Sequence, residues 1–134
     1  SKENTLAFSI TAQNEVMLND KPVAVEDIRR RIVDFVRMRG AQHLILVDAN
    51  PASDYNTYFT LENEIVAAYA EVRNAEAKRR YHRDYASCTD EQRKKVRDIY
   101  PQHLSETYNT AEVNNSTEDN KTSKAVDEKK GGAE

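Results

Sequence analysis

Glycine and proline, at three residues each, a single cysteine and no tryptophan are the scarcities of this 134-residue sequence, and each closes off some class of function. Three glycines leave little material for a phosphate cradle, and no Gly-rich phosphate loop, GxSxG turn or HExxH pair occurs. One cysteine, Cys88, excludes an internal disulfide framework and any multi-cysteine zinc site, while leaving the redox compartment open. Long apolar runs are missing as well: none approaches the ~18 to 20 residues needed to cross a bilayer, and none has the pattern of a signal peptide. The first residue is Ser1 rather than Met, so an upstream targeting or anchoring segment is expected. Charge of one sign is also lacking. With 32% charged residues and a formal net charge of -3, the balance gives no whole-chain case for nucleic acid or anionic lipid, and any basic surface has to be local.

Periodicity supplies what composition does not. "TLAFSIT", residues 5–11, alternates Leu6, Phe8 and Ile10 against Thr5, Ser9 and Thr11, the signature of a half-buried strand. "AQN" turns the chain, with Asn14 suited to left-handed backbone, and "EVML" returns with Val16 and Leu18 on one face, completing a hairpin. "NDKP" breaks that pattern, because Pro22 cannot donate to a central ladder. From Val25 the period changes: Val25, Ile28, Ile32, Phe35 and Val36 share a helix face, and Gly40 supplies the stop. "HLILVD", residues 43–48, is a continuous apolar run suited to a central strand, and the strand, helix, strand order implies a parallel pair.

"ANPASD" is loop chemistry, with Ser53 or Asp54 placed to cap a second, longer helix. In that helix Leu61, Ile65, Ala68 and Val72 form one stripe, and Tyr58, Phe59, Val66 and Tyr69 widen it to about half the circumference. A helix resting on one sheet needs less. The expectation is therefore that the first four residues cover the sheet, while Phe59, Val66 and Tyr69 meet the C-terminal helix or a second protomer. The helical pattern continues through "NAEAKRRYHRDY". Thr89 and Gln92 then make a capping box for a further short helix that Pro101 ends. The final stretch is nearly free of large apolar side chains and reads as a disordered tail.

The expected fold is α+β: a small mixed β-sheet with two packed helices in ββαβα order, a helical C-terminal extension and the tail. The corresponding division is a core over 1–87, the extension over 88–106 and the tail over 107–134.

Chemistry is sparse. Cys88 with His82 or His103 is the sole formal nucleophile and base set, with no orienting third group, so the pattern favours an inert cysteine and no catalytic residue. His103 and Glu106 would share a helix face, and His43 and Asp48 bracket a strand, but two scattered ligands do not hold a metal, and solvated or strand-end histidines are the simpler reading. Neither cofactor nor small-molecule substrate is implied. Lys78, Arg79, Arg80, Arg83, Arg93, Lys94, Lys95 and Arg97 suggest a basic strip with Tyr81 and Tyr85 available for stacking on bases. Glu76, Asp84, Asp90, Glu91 and Asp98 are interleaved with them and favour an ordinary solvated helix, which makes nucleic acid the lesser reading.

Several phrases resemble one family. "NEVMLNDKPVAVEDIRRRI" is similar to the strand, turn and first helix of ExbD/TolR biopolymer-transport proteins. "LILVDANPASDYNTYFTLENEIVAAYAEVR" resembles their next strand, polar loop with a tyrosine, and second helix. "AEAKRRYHRDYASCTDEQRKKVRDIYPQHLSE" resembles a branch with an additional helical end. The resemblance covers about residues 5 to 106 and rests on Leu18, Asn19, Lys21, Pro22, Val23, Tyr55, Glu64, Ala67, Ala68, Tyr69, Glu71, Tyr100, Pro101 and Gln102.

It implies the periplasmic domain of a single-pass inner-membrane protein from a Gram-negative-type bacterium, homodimeric in the full-length complex. Such a protein works with an ExbB/TolQ-like proton-channel subunit to couple the proton-motive force to a TonB-like or TolA-like protein. A TolR-like module contacting peptidoglycan belongs to the same family. The family's proton-responsive aspartate lies in a transmembrane helix outside these residues, and its closing strand after the second helix is not visible in this pattern. Strand addition of a TonB-like segment is expected at the first strand, through Leu6, Phe8 and Ile10, if that strand lies at the sheet edge.

Overall fold

In the computed structural model, which describes residues 2–107, the alternation of the first strand is realised as β1 (Thr5–Ile10), with Leu6, Phe8 and Ile10 buried. Asn14, at φ 67°, turns the chain. β2 (Val16–Leu18) then returns antiparallel, with Val16 opposite Ile10 and Leu18 opposite Phe8. Asn19 and Asp20, both at positive φ, form a two-residue turn into β3 (Lys21–Pro22), so the "NDKP" break holds a short strand of its own at the sheet edge, where proline is tolerated. Asn19 also extends the β1–β2 ladder: its Oδ1 accepts from the Ala7 N–H at 3.0 Å and its own N–H donates to the Ala7 carbonyl at 2.8 Å.

α1 (Val25–Arg39) buries Ile28, Ile32, Val33 and Val36 and ends at Gly40, whose φ of 59° favours glycine although a Cβ there would meet nothing within 4 Å. β4 (Leu44–Ala49) follows and runs parallel to β1, from Thr5 opposite Leu44 to Ile10 opposite Ala49. The parallel partner of β4 is thus the first strand of the hairpin, not the strand just before α1. α2 (Tyr55–Tyr81) is capped by Asp54, whose carboxylate accepts from the Thr57 N–H at 2.9 Å, and stops at His82 in left-handed backbone. α3 (Asp90–Ile99) opens on the expected capping box: the Gln92 N–H donates to Thr89 Oγ1 and the Thr89 N–H to Gln92 Oε1.

The pattern over 88–106 predicts a helical extension with no closing strand and a tail from residue 107. Instead, Leu104–Thr107 forms β5, parallel to β4, with Ile45 opposite Leu104 and Asp48 opposite Thr107. Four residues carry too little periodicity to announce a strand; its hydrogen-bond partners come from β4, 59 positions earlier in register, as where the Ile45 N–H meets the His103 carbonyl at 2.9 Å. His103 and Glu106 consequently share no helix face. The tail beyond 107 lies outside the described residues.

Among the described residues the five strands form one mixed sheet in the order β3-β2-β1-β4-β5. The fold is α+β. Core side chains of α1 and α2 pack on the face presented by Leu6, Phe8, Ile10, Leu18, Ile45 and Val47. A second, smaller core of Ala77, Cys88 and Val96, flanked by Tyr81 and Tyr85, ties α3 to the far end of α2.

Candidate interaction surface

Two sequence expectations meet a different geometry. β1 is paired on both sides, to β2 and to β4, so it offers no edge for strand addition. Leu6, Phe8 and Ile10 are 5%, 1% and 2% exposed and belong to the main core rather than to a partner contact. The period-2 pattern establishes that one face is buried, but edge and central strands share that pattern.

The trio on α2 divides. Tyr69 is buried, while Phe59 and Val66 are 49% and 55% exposed, so neither of the latter is covered by α3. α3 packs instead on the end of α2 around Ala77, beyond the reach of Phe59. The extra apolar arc lies beside the sheet-facing stripe, where the Phe59 ring stacks on Tyr55 at 5.8 Å between centroids.

The sheet's edges among the described residues are β3 and β5. β3 has two residues, one of them proline, whereas β5 has four and no proline, which makes β5 the better acceptor for another extended segment. Leu104 and Glu106 are turned toward α2 and half-buried, and Ser105 and Thr107 are exposed. Leu104 packs on the main core, and Glu106 accepts a 2.8 Å hydrogen bond from the Tyr58 hydroxyl.

A polar cluster seats the start of β5. Arg73 of α2 donates from Nε to the Tyr100 carbonyl at 3.0 Å, and its guanidinium lies 5.8 Å from the centre of the Tyr69 ring. The Tyr69 hydroxyl is 2.6 Å from His43 Nε2, and His43 Nδ1 is 2.6 Å from the Gly40 carbonyl. The His43 and His103 rings lie 5.5 Å apart, with His103 Nδ1 3.3 Å from the His43 carbonyl. Burial holds the His43 imidazole below its ordinary pKa and pushes the Tyr69 phenol well above its own. His43 does stand at a strand end, but it is only 1% exposed. The pattern around it gives no sign of that, since its burial depends on Tyr69 and His103, far away in sequence.

The other candidates are dispersed. Cys88 is buried in the small core, His82 is exposed at the α2 stop, and His103 lies on the approach to β5. No group of three or more His, Cys, Asp or Glu side chains placed to hold a metal occurs among the described residues. Along the basic strip, Arg79 and Arg80 each reach Glu76 at 2.6 Å, Lys94 reaches Asp98 at 2.8 Å, Lys78 reaches Asp84 at 3.4 Å, and Arg93 pairs with Asp90. Tyr81 and Tyr85 are half-buried against the small core. Much of the positive charge is therefore met within the chain, and the tyrosines are not laid out as a stacking platform.

No protein-family model matches the chain, and no curated protein matches it.

Proposed function

We propose that this chain is a non-enzymatic interaction module of the ExbD/TolR kind, which receives an extended segment of a TonB-like or TolA-like partner along β5. The observation that carries the reading is β5 itself, an edge strand of four residues without proline, parallel to β4. It adds to the phrases of the sequence that resemble this family, among them Leu18, Asn19, Lys21 and Pro22, where Asn19 closes the ladder to Ala7. Main-chain hydrogen bonds would give the affinity, and alternate side chains would set the register. In this reading the domain is periplasmic and homodimeric, tethered beside an ExbB/TolQ-like channel subunit and relaying work driven by the proton gradient.

Amide chemical-shift mapping with a synthetic extended peptide from a TonB-like protein tests the site. Shifts centred on Leu104–Thr107 and β4 are expected. Shifts confined to α3 would move the interaction to the charged helix and end the proposal, and a response to peptidoglycan fragments alone would place the chain on the TolR-like side.

A further inference from the structure

Inside the seat of β5 every hydrogen-bonding position of the neutral His43 ring is used. The Gly40 carbonyl, 2.6 Å from Nδ1, can only accept, so Nδ1 carries the proton. Nε2 is then the lone-pair nitrogen and accepts from the Tyr69 hydroxyl at 2.6 Å. The backbone N–H of His103 donates instead to the Pro101 carbonyl at 3.0 Å. Donors and acceptors balance while the ring is neutral.

A proton added at Nε2 breaks the balance. Nε2–H and the Tyr69 O–H would then face one another, and the hydroxyl hydrogen would need a new acceptor around a side chain only 2% exposed. The Gly40 carbonyl favours the new charge, but burial outweighs it and the charged side chains around the ring oppose it. α2 brings Tyr69 and the cationic Arg73, and the segment leading into β5 brings His103. α3 brings Arg97 next to Arg73, and the Gly40–Gln42 turn brings no charged group. Arg39, in the last turn of α1, is directed at the Glu3 carbonyl. None of the hydrogen bonds to His43 comes from a carboxylate.

We propose that His43, Tyr69 and His103 form a proton-sensitive latch that seats β5 against β4 while His43 is neutral and loosens it in mild acid. The His43 ring and carbonyl both bear on His103, and the His103 carbonyl takes the Ile45 N–H, so the disturbed ring lies two residues from the first hydrogen bond of the β4–β5 pair. Burial is the largest influence on His43 and depresses its pKa below 6.5. A loosened or unfolded state therefore binds the proton more readily than the seated one. The seat is complete above the ordinary histidine range and is lost as pH falls through the lower seated value. The latch belongs to this chain alone and stands whether or not a partner strand occupies β5.

The test is hydrogen exchange by NMR on the intact chain, at a series of pH values from about 7.5 down to about 4.5, with the His43 ring shifts followed in the same samples. After correction for intrinsic rates, the Ile45 amide should lose at least ~10-fold protection as His43 titrates, while the Asn50 amide, bonded to the Ile10 carbonyl, changes by less than ~3-fold. His43→Gln, which hydrogen-bonds without titrating, should remove the pH dependence at Ile45. Should that variant not fold, the wild-type comparison of Ile45 with Asn50 decides alone. Constant Ile45 protection across the range, an equal loss at Asn50, or unchanged pH dependence in His43→Gln would each overturn the latch.

Discussion

Arg73 and Tyr100 are joined by a 3.0 Å hydrogen bond from the guanidinium Nε to the main-chain carbonyl, which fastens the middle of α2 to the segment that delivers β5. This bond spans 27 residues of sequence and bridges the main core to the approach of an edge strand. Its donor is charged and half-buried, the setting in which a hydrogen bond contributes most.

Arg73→Ala should therefore lower stability by about 2 kcal/mol, because the Tyr100 carbonyl loses a charged donor and the Tyr69 ring its cationic neighbour. Urea denaturation measures this. A change below about 0.5 kcal/mol would mean that the bond is not maintained in solution.

Val66 and Ile65 are sequence neighbours with opposite fates. At 55% exposure, Val66→Asp should alter stability by no more than about 0.5 kcal/mol, whereas Ile65→Ala, at a fully buried site, should cost about 2 to 5 kcal/mol. The full apolar arc on α2 suggests a larger penalty for Val66→Asp than its position allows. Paired denaturation curves settle the ranking, and sedimentation of Val66→Asp shows whether a second protomer uses this face.

Thr89→Ala removes the acceptor of the Gln92 N–H at the start of α3 and should cost about 1 kcal/mol, the usual worth of such a cap. Thr89→Asn, which keeps an acceptor, should recover most of it. Equal losses in the two variants would show that the hydroxyl does not act as a cap.

Glu76 is a nearly buried carboxylate that takes Arg79 and Arg80 together, and hydrogen bonding from Arg79 is the main influence holding its pKa below the ordinary 4.5. A depressed folded value means that the stabilisation is present above about pH 4.5 and fades as pH falls through the folded value. Glu76→Gln should accordingly cost about 1 to 2 kcal/mol at neutral pH and much less near pH 3. A penalty that does not vary with pH would assign the loss to packing instead of charge.

Residues close in sequence carried most of what was legible beforehand. The Thr89 and Gln92 box, the Gly40 stop, the left-handed Asn14 and the Asp54 cap each involve partners within a few positions, so a short window contains both halves of the interaction. The strands β1, β2 and β4 were legible for a related reason: one buried face imposes a period on the residues themselves.

Neighbours in space decided the rest. Leu104–Thr107 is a strand because β4 supplies its hydrogen bonds, and β1 is central because β4 joins the side that β2 leaves open. Tyr69 turns inward to His43, while Phe59 and Val66, on the same widened arc, stay at the surface. The sequence alone determined where the helices begin, three of the strands and the α+β class, since period and caps are local properties, although α2 stops at His82, short of the end of the expected "NAEAKRRYHRDY" run. Which strand forms an edge, and which histidine is buried, depended on pairings across the sheet that no short window contains.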